Sequence, residues 1–364
     1  MIRPPFSSTK SAAAFALLLL LLLLSPVLAG KRFLPPREEI YSSTLLFYAS
    51  THYLRQQIFQ EKGDIDIAFV GASWMAYGID TTYVQKKLSE KLGRKAVVVT
   101  LGWSWGGFDA LYFFTQDLLQ HRKVHLIIFT RDLLQENDPH RAAAHWFRLG
   151  DNAKSLAGLP LNLQAEYYFG SILGMPRNLL SLVRSNEPDL KPSEVWDRRD
   201  PADQLGAALV KFSYGANPDL GANLVFLPFV PTNGISPSNV CVYSPATRNL
   251  FRFEHSAAPL QRHFASQFGS LAQTNQVPLA YLHIPVLSEV RLPILWEREF
   301  WPDLVETNVV MIGIPPATMF SGLSDSEVLK LFFNPLHLNQ NGQQYFTWLI
   351  TPRLLEIYDK QNKP

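Results

Sequence analysis

The stretch Gly63-Asp-Ile65-Asp-Ile-Ala-Phe-Val70-Gly-Ala-Ser73-Trp-Met, followed by Asp80 and then Val84, Leu88 and Leu92, decides how this chain is read. Ile65 to Val70 is an apolar run broken only by Asp66 and preceded by a turn signal, the pattern of a short strand buried on both faces. Asp80 stands where a helix cap belongs, the apolar positions after it recur at i, i+4 and i+8, and Gly93 is placed to close the helix. The unit is strand then helix, and it repeats. Ala96 to Leu101 predicts a second strand, Phe108 to Leu119 a second helix, and Val124 to Thr130 a third strand. Strands apolar on both faces, alternating with helices, predict an α/β domain: a parallel sheet of the flavodoxin-like kind, in three layers with helices on both sides.

Downstream, from 136 to 249, the pattern lapses into polar and aromatic segments punctuated by Pro160, Pro176, Pro188, Pro192, Pro201 and Pro218, and reads as a large insertion. Order then returns with a helix carrying Leu260, Phe264, Phe268 and Leu271, strands at Leu279 to His283 and Val309 to Ile314, and a final helix from about Gln340. The catalytic domain is therefore expected over 63–135 and 250–364. Residues 31–62, with Pro35-Pro36 and an aromatic-rich helical stretch from Leu45 to Phe59, read as a stalk. No internal repeat is visible.

Upstream, Arg3 and Lys10 precede an unbroken apolar run from Ala12 to Leu24, and Ser25-Pro-Val27-Leu-Ala29 follows it. Residues 1–30 are an export segment: a cleavable signal peptide with a Val27-x-Ala29 site, or, if Ser25 and Pro26 are tolerated within the span, a membrane anchor. The basic residues come first, so everything after Lys31 is expected across the membrane, in a periplasmic or extracellular setting, either anchored or secreted. The charge balance agrees with this division. The chain has 33 basic and 31 acidic residues, and its surplus of two is Arg3 and Lys10. Beyond Gly30 the two signs cancel, and no basic run exists to bind nucleic acid. A hydrophobic content of 47% supplies a full core, which excludes a disordered chain. The one cysteine, Cys241, excludes an internal disulfide and a Cys-based zinc site. His140, His145, His255 and His263 lack ligand spacing, so neither a metal nor another cofactor is expected.

Ligands of open parallel sheets bind at the carboxyl ends of the strands, which selects four loops. They are Gly71-Ala-Ser73, Gly102-Trp-Ser104-Trp-Gly106-Gly107, Arg131-Asp132, and Asn334-Pro-Leu-His337-Leu-Asn339-Gln-Asn-Gly342. A serine hydroxyl attacks only when a base takes its proton, and that base is normally a histidine oriented by a third polar group. His337 is the natural base, in a turn before a helix, and Asn334 lies three residues away, within reach. Gly102-Trp-Ser104-Trp-Gly106 also fits the Gly-x-Ser-x-Gly elbow of α/β-hydrolases. Only one strand-helix unit precedes it, however, and no His-Gly oxyanion segment lies upstream, so Ser73 is preferred over Ser104. His283 ends a strand and lines the expected cleft. Trp74, Trp103 and Trp105 crowd it, suited either to stacking on sugar faces or to packing in the core.

Strand-Gly-x-Ser near the domain start, a glycine after the second strand and a C-terminal Asn-x-x-His-Leu-Asn-x-x-Gly resemble the GDSL/SGNH hydrolase superfamily. More narrowly they resemble its membrane-tethered extracytoplasmic members associated with O-acylation of polysaccharides. The likeness covers about 60–135 and 305–350. It implies Ser73 as nucleophile, the N–H groups of Ser73 and Gly102 as oxyanion donors, and His337 as base. It departs at Asn334, where the family has Asp, and in the third block, where Phe129-Thr-Arg131-Asp132 replaces the family's Gly-x-Asn-Asp. There Arg131 is placed to supply positive charge near an oxyanion, and Asp132 to hold the loop. The expectation is a serine esterase or O-acyltransferase acting on an acylated glycan, cell-envelope polymer or small ester, with a membrane acyl-transfer partner. The alternatives are a catalytically silent glycan-binding or assembly protein, and an α/β-hydrolase using Ser104.

Overall fold

The computed structural model describes residues 8–29, 33–42, 54–103, 107–130, 137–140, 143, 146–183, 231, 233–242, 244, 246–253, 258–297 and 309–361. The chain forms two compact units, Met1–Leu46 with Arg141–Glu187, and Phe47–His140 with Pro188–Pro364.

The second unit carries the α/β domain. Its elements run β1 (Ile67–Ala72), α1 (Ser73–Gly78), α2 (Thr81–Leu92), β2 (Val98–Trp103), α3 (Phe108–His121), β3 (Ile127–Phe129), β4 (Cys241–Val242) and β5 (Phe251–Phe253). They continue with α4 (Pro259–Thr274), β6 (Leu279–Leu282), β7 (Leu295–Glu297), β8 (Val310–Gly313), β9 (Phe332–Asn334), β10 (His337–Leu338) and α5 (Gln340–Gln361). The main sheet has the order β2-β1-β3-β6-β8-β4, in which the first five strands are parallel and β4 is an antiparallel edge. Numbered among themselves, the parallel strands run 2-1-3-4-5, so the order reverses between β1 and β3 and opens a crevice at their carboxyl ends.

The expected strand-helix alternation has direct physical causes. The Asp80 carboxylate accepts the backbone N–H of Tyr83 and starts α2, and Gly93 ends it in the left-handed region at φ 64°. On one sheet face, Ile67, Phe69, Ile128, Leu282 and Ile312 share a core with Val84 and Leu88 of α2 and Tyr345, Leu349 and Leu354 of α5. On the other face the Phe129 ring meets Phe108 at 6.3 Å, Phe268 at 5.4 Å and Tyr281 at 5.4 Å, which seats α3 and α4. Helices therefore cover both faces. Some boundaries differ from expectation, and β2 runs on through Gly102 and Trp103. Gly71 and Ala72 belong to β1 and not to a loop, and Cys241–Val242, within the stretch read as insertion, pairs with β8 as part of the sheet.

The first unit holds the helix Thr9–Ala29, in which every leucine from Leu17 to Leu24 is exposed, and the helix Leu161–Val183. The expected stalk is more than a tether. Within 31–62, Tyr41 stacks on Trp146 at 5.4 Å, and the Arg37 guanidinium donates to the Trp146 carbonyl at 2.6 Å and to Asn152 Oδ1 at 3.1 Å. Arg148 donates in turn to the Pro35 carbonyl at 2.6 Å. The early part of the expected insertion thus builds a small unit with the chain around the N-terminal helix. Of the predicted stretch Leu45–Phe59, residues 45–53 lie outside the described residues, and 54–60 are helical.

At the amino end of the sheet, Asp66 is buried and accepts from Arg94 at 2.6 and 3.0 Å, from the Tyr358 hydroxyl at 2.6 Å and from the Val97 N–H at 2.8 Å. Burial alone would raise this carboxyl, but the Arg94, Tyr358 and Val97 donors outweigh it and hold it below the usual carboxylate value. A lowered pKa means stability that is full above the unfolded value, about pH 4, and is lost as pH falls through the folded value. Tyr358→Phe removes one hydrogen bond to a charged group and is expected to cost about 1.5–3 kcal/mol in urea unfolding at pH 7. The gap from the native protein should narrow as the solution is acidified through the lowered folded value, where Asp66 becomes protonated.

Candidate active site

The Ser73 hydroxyl is positioned by a strand that turns straight into a helix. Ser73 is the first residue of α1, and Gly71, two residues earlier, has no room for a side chain: a Cβ there would lie 2.9 Å from Met75 Cβ and 3.0 Å from Thr130 Cγ2. α5 clamps the far end of α1. The Gln343 side-chain amide donates to the carbonyls of Ala76 at 2.9 Å and Ile79 at 3.0 Å, and the Thr347 hydroxyl accepts the Asp80 N–H at 2.8 Å. These buried polar pairs fix the serine-bearing turn against the C-terminal helix.

His337 comes from the other end of the chain. It lies in a β9–β10 hairpin, not in the open turn that the sequence suggested, and Asn334 is its cross-strand partner. Asn334 Oδ1 accepts the backbone N–H groups of Leu336 at 2.8 Å and His337 at 3.0 Å, closing the turn, and lies 3.0 Å from His337 Nδ1. Buried Leu338 anchors the hairpin. Asn339 Oδ1 accepts the Gly342 N–H at 3.1 Å and so caps α5, while its amide donates to the Lys330 carbonyl at 2.6 Å. A Cβ at Gly342 would fall 2.1 Å from the Leu331 carbonyl oxygen, so only glycine allows this approach. The Leu287 N–H donates to the Pro335 carbonyl at 3.0 Å, bracing the turn from the loop after β6.

The two halves meet: Ser73 Oγ is 2.8 Å from His337 Nε2. An oxygen that already takes two backbone N–H groups can only accept, so Nδ1 of His337 carries the proton and Nε2 presents a lone pair to Ser73. Ser73, His337 and Asn334 form a Ser-His-Asn relay. Burial pushes the His337 pKa down to about 4, so the ring is neutral at pH 7. Tyr77 lies against it at 4.8 Å between ring centroids, and Trp74 at 6.5 Å. The arrangement can draw a proton from the serine hydroxyl, although among the described residues no carboxylate offsets the imidazolium that results.

No protein-family model matches this chain. No curated protein resembles it closely enough to count as a relative.

Of the other predicted residues, Gly102 lies within β2, next to its last residue, and not in the loop after it, and pairs in register with Gly71 at the carboxyl edge that bears Ser73. Ser104, Arg131 and Asp132 lie outside the described residues. His283 is 1% exposed and sits 3.3 Å from the Glu289 carboxylate, inside the protein and away from any cleft surface. Among the described residues, no three His, Cys, Asp or Glu side chains gather as a metal site would require. The reading of single residues missed Tyr77, Gln343, Thr347 and the two supports Asn339 and Gly342. The last two had a signal, since both belong to the quoted His-Leu-Asn-x-x-Gly run.

The electrostatic account is open to NMR titration. In histidine-labelled protein the His337 ring is expected to titrate near pH 4, and Asn334→Asp should raise that value by about one unit or more as a carboxylate comes to face Nδ1.

Proposed function

We propose that this protein is an extracytoplasmic serine esterase or O-acyltransferase of the SGNH type, with the flavodoxin-like sheet as its frame, acting on an acylated glycan or cell-envelope polymer. The observation that carries the reading is the contact of Ser73 Oγ with His337 Nε2 at 2.8 Å, made by a serine at the carboxyl end of the first strand and a histidine oriented by Asn334. Ser73 attacks the ester carbonyl while His337 takes its proton. The tetrahedral oxyanion is met by the N–H groups of Ser73 and Gly102, and the leaving alcohol receives the proton back from His337. The acyl-serine then passes its acyl group to water or to a sugar hydroxyl by the same steps in reverse. Trp74, half-buried beside His337, supplies aromatic surface of the kind that stacks on sugar rings. Thr9–Ala29 is long and apolar enough to span a bilayer, and in this reading it tethers the protein there, near a membrane acyl-transfer partner.

One observation favours a second reading, a catalytically silent glycan-binding protein. The third group of the relay is neutral, and a histidine lowered to about 4 is a weak base. The α/β-hydrolase reading through Ser104 has less support, because His337 is already engaged by Ser73.

Fluorophosphonate labelling of the detergent-solubilised chain separates the three. The proposal expects the native protein and Ser104→Ala to label and Ser73→Ala to stay unlabelled, with aryl acetate hydrolysis down about 10⁴-fold or more in Ser73→Ala. Labelling that survives Ser73→Ala and vanishes in Ser104→Ala would overturn it in favour of the α/β-hydrolase, and an inert native protein would favour the silent one.

A further inference from the structure

The helix Leu161–Val183 turns one side into its own unit and leaves another bare. Leu163, Tyr167 and Ile172 are buried, with Tyr167 against Phe147 at 5.4 Å between ring centroids. Asn162, Glu166, Phe169 and Leu173 recur at helical spacing along an exposed stripe that is polar at its start and apolar further on. Phe169 is 53% exposed and Leu173 64%, and the leucines Leu17 to Leu24 of Thr9–Ala29 in the same unit are exposed too. Between them and the polar pair, the Tyr168 hydroxyl donates to the backbone carbonyl of Leu23 in Thr9–Ala29 at 2.5 Å.

That hydrogen bond is a depth marker. Leu23 is six residues before the end of its helix at Ala29, which at 1.5 Å per residue is about 9 Å along the axis. A helix of 21 residues spans roughly the 30 Å of a bilayer's hydrocarbon, so when it crosses, Leu23 lies several ångströms inside the apolar layer and Tyr168 lies there with it. Amphipathic helices that lie in a membrane surface sink their apolar side to about 5–10 Å, the same depth. Tyrosine suits the position, an apolar body with a hydroxyl that needs a partner.

We infer that Leu161–Val183 is a second membrane-contacting element, dipping into the outer interface of the bilayer beside the spanning helix, with Phe169 and Leu173 among the acyl chains and the start of the helix, which carries Asn162 and Glu166, higher toward water. This rests on the reading above that Thr9–Ala29 crosses the membrane. It deepens that reading in one respect: the N-terminal helix is a retained part of the folded unit, because the interfacial helix is hydrogen-bonded to it. The occupant of the exposed stripe is lipid. Phe169 is the neighbour of the tyrosine bonded to Leu23, and the leucines of that helix are exposed as well, which argues for one lipid-facing apolar surface shared by both helices.

The test uses the full chain with Cys241→Ser, reconstituted in phosphatidylethanolamine–phosphatidylglycerol vesicles, with single cysteines from Leu19→Cys, Asn162→Cys, Phe169→Cys and Leu173→Cys labelled by a small fluorophore. The labels at 169 and 173 are expected to be quenched about twofold or more by lipid spin-labelled near the headgroup and to resist aqueous iodide, while the label at 162 behaves oppositely. The label at 19 is expected to be quenched most by lipid spin-labelled deep in the chain. Iodide quenching at 169 and 173 with lipid quenching at 19 overturns the inference and leaves the anchor standing; that result would assign the stripe to a protein partner or to water. No lipid quenching at 19 overturns both.

Discussion

A single amide oxygen holds the candidate site together. Asn334 Oδ1 accepts the N–H groups of Leu336 and His337 and faces Nδ1 of the His337 ring, so one atom closes the hairpin, aims the imidazole and selects its tautomer. A carboxylate would do the same and add a charge. With asparagine the orienting role remains and the electrostatic one is gone, and among the described residues no charge opposes the desolvation that lowers the basicity of His337. Geometry and charge, usually supplied together by one acid, are separated in this relay.

Ser73 and His337 are 264 residues apart, and the element that joins them is α5. It is capped by Asn339, which also ties down the hairpin, and it carries Gln343 and Thr347, which grip the far end of α1. Ser73 and His337 are therefore registered against the same rigid body. The sheet contributes the other constraint, because the reversal of strand order between β1 and β3 opens the crevice where Ser73 stands.

The α/β alternation was legible because its signals are local: a six-residue apolar run, Asp80 as a cap, Gly93 as a stop, and a phenylalanine-bearing helix on the opposite face. Ser73, His337 and Asn334 were legible from their positions at strand ends and from their residue types. The hairpin around His337 was not, since two-residue strands carry no periodicity and the turn depends on a side-chain oxygen acting as a backbone acceptor. The supports Gln343 and Thr347 were hidden for a related reason: a polar residue on a buried helix face declares itself only through its partner, and Ala76, Gly78, Ile79 and Asp80 are remote in sequence. The first unit was illegible for the opposite cause. It is assembled from a segment read as a stalk and another read as an insertion, and the Tyr41–Trp146 stack that joins them is a contact between chain segments without any pattern of their own.

The two residues of β4 give the long excursion between β3 and α4 a role in the solubility of the sheet. Cys241 and Val242 run antiparallel to β8 and occupy backbone groups that would otherwise lie open at that edge. An open edge is a template for pairing with another copy of the chain. The excursion is thus not a detachable cassette: excising residues 136–249 would strip the guard from β8 and leave a domain with its relay intact and an adhesive flank.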